Sequence, residues 1–449
     1  MGKGLEPIRS QFSTWYIPNV RVKESQRNHS SEQKLRQVFS LLKMSADPYD
    51  VAIIGGGVVG CAVLFELCRQ GYLCLLCEAK ECIMSGASAG NSGMLHTGFD
   101  APLGSLELQC IQHCQKEIFG ILQKFNIPFE KCGAHVVAWT IEEKEKLQGL
   151  LQHSHEAQIS SAAIQSATNL YNMEPSLRSG ALSSLYVPEE AIVDSNLLGV
   201  CYAHHAQKQR SKILTSCTIT GFRENVLTTT HGPIKARIVI NCAGLYGDTV
   251  DALAGLHSFQ IKPRTGQYCV FGKEKSHLLH SMIFPVPTER TKGTVLFRTV
   301  YGNIVMGPTA EETQSRDLPK PDTKTDKILA KRACHLMPAL RQPIGSYVGV
   351  RPATQWKDYL IKKYPEIGWL TVGGIRSTGV SGSLGIAHYV SESLKTDFDL
   401  EPSQGASKAL EEMCWKSGED GASVIMDDYT YPMSHPIFQF GHGKYTSKL

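Results

Sequence analysis

The chain has 449 residues, of which 42% are hydrophobic and 20% are charged, as in ordinary globular proteins with two or three domains. Its net charge of +4 is too small to indicate a nucleic-acid-binding protein, and no stripe of basic and aromatic residues accompanies that charge. Residues 51–67 are mostly apolar, but they include four glycines and are too short to span a membrane, so no transmembrane segment is predicted.

The chain contains 14 cysteines. Most lie within apolar runs, which is typical of buried thiols in a reducing compartment, here cytoplasmic or mitochondrial. Cys74 and Cys77 form a C-x-x-C motif inside a predicted strand, where this spacing places the two side chains on opposite faces. Cys110, His113 and Cys114 share one face of a predicted helix, but no second ligand pair occurs in the sequence, so we predict packing and no metal site.

Residues 1–47 are polar and show no steady hydrophobic periodicity. Transit peptides are poor in acidic residues, whereas Glu6, Glu24 and Glu32 occur in this segment. We therefore predict a disordered extension, with a targeting extension as the alternative.

Residues 49–80 have the pattern of a strand, a tight turn, a helix and a second strand. Residues 51–54 are apolar, and they are followed by three glycines and then by apolar residues at helical spacing. A second apolar run ends at Glu78, eighteen positions beyond Gly60. This order and spacing are typical of a unit that binds a dinucleotide.

Each residue type in this unit has a chemical reason. Gly55 can adopt the backbone angles of the turn, Gly57 has no Cβ to block a pyrophosphate, and Gly60 allows close packing of helix and strand. Glu78 would accept hydrogen bonds from ribose hydroxyls, and no arginine follows it to bind a 2′-phosphate. The glycine pattern alone would also suit an ordinary turn, but the strand, helix and acid in register favour dinucleotide binding.

Residues 85–98 form a second stretch rich in glycine and serine. Composition alone predicts a flexible loop. Because the stretch directly follows the ribose-binding acid, it is also where a cofactor longer than a mononucleotide would continue.

The following elements alternate between helices and strands. Residues 106–125, 142–153 and 163–173 are predicted helices, residues 132–139 are a predicted strand, and residues 213–230 are predicted strands joined by a turn. Residues 234–240 form a predicted buried strand that ends in a turn of small residues. Such a strand belongs beside the first one, which predicts that the nucleotide-binding lobe is discontinuous in sequence.

Residues 257–345 have a different sequence pattern from the preceding segments. Here short predicted strands, separated by proline-rich turns, precede a predicted helix. We therefore predict an α/β protein with a Rossmann-like, discontinuous dinucleotide-binding domain and an α+β second domain. The predicted boundaries are 48–130, 185–256 and 346–398 for the first domain, 131–184 and 257–345 for the second, and 399–449 for a tail of unassigned role.

Several motifs together resemble a known family. They are the unit at 55–78, GASAGNSGMLHTGFDAP at 86–102, NCAGLYGD at 241–248, KPRTGQY at 262–268, the run 285–308 and GGIRSTG at 373–379. In this order they resemble the FAD-dependent oxidoreductases of the D-amino-acid oxidase type. The resemblance is greatest to the branch of glycerol-3-phosphate dehydrogenases and oxidases, with L-2-hydroxyglutarate dehydrogenase as a neighbour, and it covers about residues 49–395.

The resemblance implies roles for individual residues. His96 occupies the position of the active-site base that takes a hydroxyl proton, although a histidine that only bonds flavin or backbone is the alternative. Lys292 and Arg351 match positions that bind an anionic substrate, and Ser377 matches a polar contact beside the flavin. The implied FAD contacts are Gly55, Gly57, Gly60, Glu78, Ser85, Asn91, Ser92, Gly244, Gly373, Gly374 and Ile375.

The sequence also departs from the pattern of this branch. Arg298 and Thr378 stand where we expect proline, and Pro352 stands where a small residue is usual. The main hypothesis is oxidation of a small anionic secondary alcohol, glycerol 3-phosphate or a 2-hydroxy acid. The alternatives are amine or amino-acid oxidation and a catalytically silent flavoprotein. Oxygen, a quinone and another flavoprotein all remain open as the electron acceptor.

Overall fold

The computed structural model describes residues 48–288, 293–407 and 409–442. The prediction of an extension at residues 1–47 and the candidate Lys292 therefore lie outside the described residues. Strands and helices are numbered in chain order within the described part. The helices are α1 (Val58–Arg69), α2 (Leu106–Lys124), α3 (Ile141–Glu156), α4 (Ala167–Met173), α5 (Ser195–Lys208), α6 (Gly247–Leu253), α7 (Thr323–Leu336), α8 (Ser383–Thr396) and α9 (Pro436–Gly441).

The first sheet is built around the predicted dinucleotide unit. Its strands are β1 (Tyr49–Ile54), β2 (Cys74–Cys77), β9 (Lys212–Leu214), β10 (Ile219–Arg223), β11 (Val226–Thr229), β12 (Gly232–Asn241), β19 (Leu360–Tyr364) and β20 (Trp369–Gly373). The parallel part has the order β9-β2-β1-β12-β20, with β19 antiparallel at its edge. The predicted strand 234–240 therefore lies beside β1 as expected, and the sheet is discontinuous in sequence.

Both faces of this sheet are covered. On one face, Val51 and Ile53 share a buried core with apolar residues of α1, α5 and α8. On the other face, Ala52 and Ile54 pack with residues of β10, β11 and α6. Cys74 belongs to the first core and Cys77 to the second, which confirms that the two thiols point to opposite faces.

The second sheet has nine strands. They are β5 (Ala134–Ala138), β6 (Ala163–Ser166), β7 (Ser183–Val187), β13 (Arg264–Phe271), β14 (Met282–Pro285), β15 (Val295–Arg298), β16 (Ile304–Gly307), β17 (Glu311–Glu312) and β18 (Gly345–Arg351). The order is β18-β13-β16-β15-β14-β5-β7-β6, and β17 pairs with the start of β13. Leu329 and Ala333 of α7 pack with Phe271 in the core of this sheet. An α/β fold with a Rossmann-like sheet and a second, mixed α/β lobe is thus confirmed.

One predicted helix was wrong. Residues 163–173 form strand β6 and then the short helix α4. The first four residues pair with β7 at the edge of the second sheet, and this pairing overrides their helical propensity. Ser166 then caps α4, because its side chain accepts a hydrogen bond from the backbone N–H of Asn169 at 3.2 Å.

Two small sheets complete the fold. The strands β3 (Met94–Leu95), β4 (Phe129–Glu130) and β8 (Ala191–Val193) form one, and β21 (Lys416–Ser417), β22 (Ser423–Met426) and β23 (Tyr429–Pro432) form the other. Val424, Met426 and Phe438 of the C-terminal segment are buried in the core around α1 and α5. Within the described ranges, no helix combines the length and the apolar character needed to cross a membrane.

Candidate active site

The first glycine turn is closely packed against backbone. Gly55 has a φ of +104°, and a Cβ added there would lie 2.5 Å from the carbonyl oxygen of Cys242. A Cβ at Gly60 would lie 1.9 Å from the carbonyl oxygen of Gly55. Gly57 is the N-cap of α1 and brings no side chain to that end of the helix, where a pyrophosphate would be stabilised. Only glycine fits Gly55 and Gly60 without a shift of the backbone.

Glu78 lies directly after β2, at the same edge of the sheet as the turn. Its Oε2 accepts a hydrogen bond from the backbone N–H of Gly56 at 2.7 Å, and its Oε1 accepts one from the N–H of Lys80 at 2.8 Å. The carboxylate is therefore fixed beside the glycine turn. Each carboxylate oxygen has a further lone pair with which it could accept a ribose hydroxyl.

The second glycine-rich stretch forms a loop with several internal and external hydrogen bonds. The side chain of Ser88 accepts a hydrogen bond from Val58 N–H at 3.0 Å, so the loop contacts the start of α1. Asn91 uses its side chain within the loop, where Nδ2 donates to Ser88 O at 2.7 Å and Oδ1 accepts from Gly93 N–H at 2.7 Å. Ser85 donates to the carbonyl of Cys82 at 2.5 Å. The polar side chains at Ser85 and Asn91 thus fix the shape of the loop.

The loop also packs against strand β18 of the second sheet. A Cβ at Gly90 would lie 2.4 Å from the Cα of Gly349, so two glycines make this approach possible. The carbonyl oxygen of Asn91 accepts hydrogen bonds from the Tyr347 hydroxyl at 3.2 Å and from His435 Nε2 at 2.9 Å. Ser92 lines a small cavity beside His435. The cofactor lobe, the second sheet and the C-terminal segment therefore meet at this loop.

His96 follows β3 and is held on three sides. Its backbone N–H donates to the Ser381 hydroxyl at 2.9 Å, and its carbonyl accepts from the side chain of Gln115 at 2.8 Å. Its ring Nδ1 lies 2.8 Å from Oε2 of Glu190. The His96 side chain is 22% exposed, so the ring is positioned and yet accessible.

Glu190 is a candidate site residue that was not predicted from the sequence. Its side chain is fully buried, and its Oε1 accepts from the backbone N–H and the hydroxyl of Thr97 at 2.6 and 2.8 Å. The pairing of Leu95 with Ala191 brings the residues on either side of this pair together. The available signal was the pair of acids, Glu189 and Glu190, directly before a short apolar strand, where alternation directs one of them inward.

Arg351 lies at the end of β18, directly opposite Arg264 across the β13–β18 pairing. Its guanidinium donates to the carbonyl oxygens of Thr265 and Thr309 at 3.3 to 3.4 Å. Burial raises the pKa of the neighbouring Tyr268 hydroxyl, and the positive charge of Arg351 opposes that rise. Arg264 is exposed, and the two cationic side chains of Arg264 and Arg351 therefore lie at the same end of the second sheet.

The remaining predicted flavin contacts lie in loops after sheet strands. Gly373 is the last residue of β20, and Gly374 has a φ of +69°. A Cβ at Gly379 would touch Ile375 at 3.2 Å and the first residues of α1 at 3.7 Å, so this loop also rests on α1. Ser377 is exposed at its tip. Gly244 begins a short 3₁₀ turn after β12 with a φ of +54°.

Two of the three departures from the family pattern have clear partners. The Thr378 hydroxyl donates to Oε1 of Glu107 at 2.6 Å and lies 2.7 Å from the Tyr359 hydroxyl. Arg298 forms an ion pair with Glu130. Pro352 is buried, and nothing in its surroundings explains the choice of proline.

The residues at the turn fit FAD. Glycines stand where a Cβ would strike backbone, an acid is fixed beside the turn, and loops from 85–93 and 373–379 both rest on the start of α1. A histidine with a buried carboxylate partner lies at the end of the first loop. This fold and this site define a dinucleotide-dependent oxidoreductase.

Comparison with known proteins gives the family. Residues 50–393 match the DAO family, described as FAD dependent oxidoreductase. The chain therefore belongs to the DAO family of FAD-dependent oxidoreductases, and its cofactor is FAD. All site residues discussed above, except those of the C-terminal segment, fall within the matched range.

Individual relatives share about a quarter of their residues with this chain. The glycerol 3-phosphate dehydrogenase of Caloramator mitchellensis is 26% identical over 358 residues, which cover 77% of this chain and 74% of the relative. The mitochondrial L-2-hydroxyglutarate dehydrogenase of Caenorhabditis elegans is 28% identical over 307 residues, which cover 65% and 70%. The dithionite-reduced L-α-glycerophosphate oxidase of Mycoplasma pneumoniae, solved with FAD bound, has a TM-score of 0.75 at 25% identity and covers 82% of this chain and 98% of that chain.

Proposed function

We propose that the protein oxidises a small anionic secondary alcohol, such as glycerol 3-phosphate or a 2-hydroxy acid, with FAD as the oxidant. The observation that carries this proposal is His96, which is partly exposed and is held by Ser381, Gln115 and Glu190. The names of the relatives, two of which act on glycerol 3-phosphate and one on L-2-hydroxyglutarate, support the substrate class.

His96 would act as the base. Oxidation of an alcohol removes a proton from oxygen and a hydride from carbon, and FAD, when bound, accepts the hydride. A neutral imidazole can take the hydroxyl proton near neutral pH. Because Nδ1 faces Glu190, we assign the proton transfer to Nε2 on the other side of the ring.

Arg351 would bind the anionic group of the substrate. A guanidinium has five N–H donors, and its contacts with the carbonyls of Thr265 and Thr309 fix its orientation. Arg264 lies opposite it in the sheet and adds a second positive charge. Lys292, outside the described residues, and Ser377 complete the proposed substrate side.

Different residues would contact different parts of FAD. Gly55, Gly57 and Gly60 would hold the pyrophosphate, and Glu78 would hold the ribose. Backbone N–H groups at 373–375, ahead of α8, would stabilise negative charge on the flavin ring. Ser85, Asn91, Ser92 and Gly244 would line the path between these sites, with Ser85 and Asn91 acting through the shape of their loop.

Anaerobic reduction tests the substrate class. Purified FAD-loaded protein should lose its flavin absorbance when glycerol 3-phosphate or L-2-hydroxyglutarate is added without oxygen. Reduction by an amino acid, but by neither alcohol, would establish the amine-oxidase alternative instead. If none of these compounds reduces the flavin or raises the melting temperature, the proposed substrate classes are wrong.

Variants test the two main residues. His96→Ala should slow flavin reduction about 10²- to 10⁴-fold with FAD still bound, whereas His277→Gln, at an exposed histidine, should leave the rate unchanged. Arg351→Lys keeps the charge but loses the guanidinium fork, so KM should rise more than kcat falls. An unchanged rate in His96→Ala would exclude this histidine as the base.

The electron acceptor and the compartment are separate proposals. Admitting air to the reduced protein distinguishes oxygen, which would restore the flavin absorbance rapidly, from a quinone or a second flavoprotein, which would have to be added. All 14 cysteines lie within the described residues and all are free thiols. Free thiols support a reducing compartment, and we propose the cytoplasm or the mitochondrion.

A further inference from the structure

We propose that Glu190 is a positioning residue that holds His96 in the tautomer with the proton on Nδ1. This inference rests on the proposed role of His96 as the base. In neutral imidazole only one ring nitrogen carries a proton, so a proton fixed on Nδ1 leaves Nε2 as the nitrogen that can accept one. The tautomer of His96 therefore decides whether it can act as the base.

The hydrogen bonds of Glu190 determine which atoms can be donors. Oε1 accepts from the backbone N–H of Thr97 at 2.6 Å and from its hydroxyl at 2.8 Å. A backbone N–H can only donate, so an oxygen must stand at this position. Oε2 lies 2.8 Å from His96 Nδ1, and because an ionised carboxylate only accepts, Nδ1 must be the donor.

The Glu190 carboxylate is buried and is held by several hydrogen bonds. Glu190 is fully buried, and its backbone carbonyl accepts from Gly133 N–H at 2.9 Å. Arg298 forms its ion pair with Glu130, whereas the Glu190 carboxylate accepts from three donors of Thr97 and His96.

Glu190→Gln should invert the tautomer with little change in shape. Because Thr97 N–H requires an acceptor, the glutamine oxygen must take the place of Oε1, which puts the amide NH₂ beside His96 Nδ1. That amide donates, so Nδ1 becomes the acceptor and the ring proton moves to Nε2. A protonated Nε2 cannot take the hydroxyl proton of the substrate.

Nuclear magnetic resonance of histidine labelled with ¹⁵N gives the direct test, using FAD-loaded protein and His96→Gln to assign the signal. We expect the proton on Nδ1 in the natural protein and in Glu190→Asp, and on Nε2 in Glu190→Gln. Glu189→Gln, which removes the neighbouring charge, should leave the tautomer unchanged. The inference is wrong if the natural protein carries the proton on Nε2, or if Glu190→Gln leaves the tautomer unchanged. Neither outcome depends on knowing the substrate.

Kinetics of flavin reduction then separate this inference from the proposed function. With a substrate that reduces the natural protein, Glu190→Gln should be about 10²- to 10⁴-fold slower, and Glu190→Asp should recover most of that loss. An equal loss in both variants would indicate a structural role only and would overturn the inference. Failure of every alcohol to reduce the natural protein would overturn the proposed function, while the tautomer measurement would still decide the role of Glu190.

Discussion

The glycine turn and the surroundings of His96 are organised in opposite ways. At the turn, Gly55 and Gly60 approach backbone atoms, and the three glycines and Glu78 lie within thirty positions of each other along the chain, with Cys242 as the distant residue against which Gly55 packs. Around His96, side chains from distant segments converge, since Glu190 is 94 residues away and Ser381 is 285 residues away. The turn therefore has no room for added atoms, whereas the position of the His96 side chain depends on particular polar groups.

Gly60→Ala should break the turn and is the largest effect that we expect. The added Cβ would lie 1.9 Å from the carbonyl oxygen of Gly55, so strand and helix must separate. We expect a loss of about 3 kcal/mol in unfolding free energy and a large loss of bound FAD. Chemical unfolding and the ratio of flavin to protein absorbance measure the two effects.

Gly149→Ala is the matched control for that variant. Gly149 lies in α3, and apart from its chain neighbours and the adjacent backbone of that helix no described atom would come within 4 Å of the added Cβ. Alanine should therefore raise the unfolding free energy by about 0.5–1 kcal/mol, because glycine is unfavourable inside a helix. Equal effects of Gly60→Ala and Gly149→Ala would contradict the packing argument at the turn.

This contrast explains which parts the sequence could reveal. The unit at 49–80 depends on local spacing, and its strand, helix and acid are where the pattern predicts them. The edge pairing of residues 163–166 was not visible, because it depends on the position of β7. Glu190 was missed for the same reason, since its partner at His96 becomes a neighbour only through the β3–β8 pairing. The geometry of one segment can be inferred from its own sequence. Contacts between side chains of distant segments cannot, because they depend on how the strands pair.

Thr378 is one of the departures from the family pattern, and its substitution tests whether its hydrogen bonds stabilise the protein. Thr378→Val keeps the shape but removes the hydroxyl that bonds Glu107 and the Tyr359 hydroxyl, both buried. We expect a loss of about 2 kcal/mol in unfolding free energy, because buried polar groups lose a partner. Thr378→Ser keeps the hydroxyl and should lose much less. Equal stability of Thr378→Val and the natural protein would show that this network contributes nothing.

His435 in the C-terminal segment should make the unfolding free energy depend on pH, and this is the smallest effect that we expect. Burial lowers the pKa of His435 to about 4, and its neutral ring accepts from Ile437 N–H at Nδ1 and donates to Asn91 O at Nε2. Between pH 6.5 and 4 the unfolded chain binds a proton on this residue that the native protein does not, so stability falls as the pH falls. The slope from this one group is about 1.4 kcal/mol per pH unit. His435→Asn cannot titrate, so its unfolding free energy should decline by about 1 kcal/mol less between pH 6.5 and 5.5 than that of the natural protein, because the unfolded histidine is only half protonated at pH 6.5. Chemical unfolding at the two pH values measures the difference, and parallel declines would mean that protonation of His435 does not link the C-terminal segment to the cofactor loop.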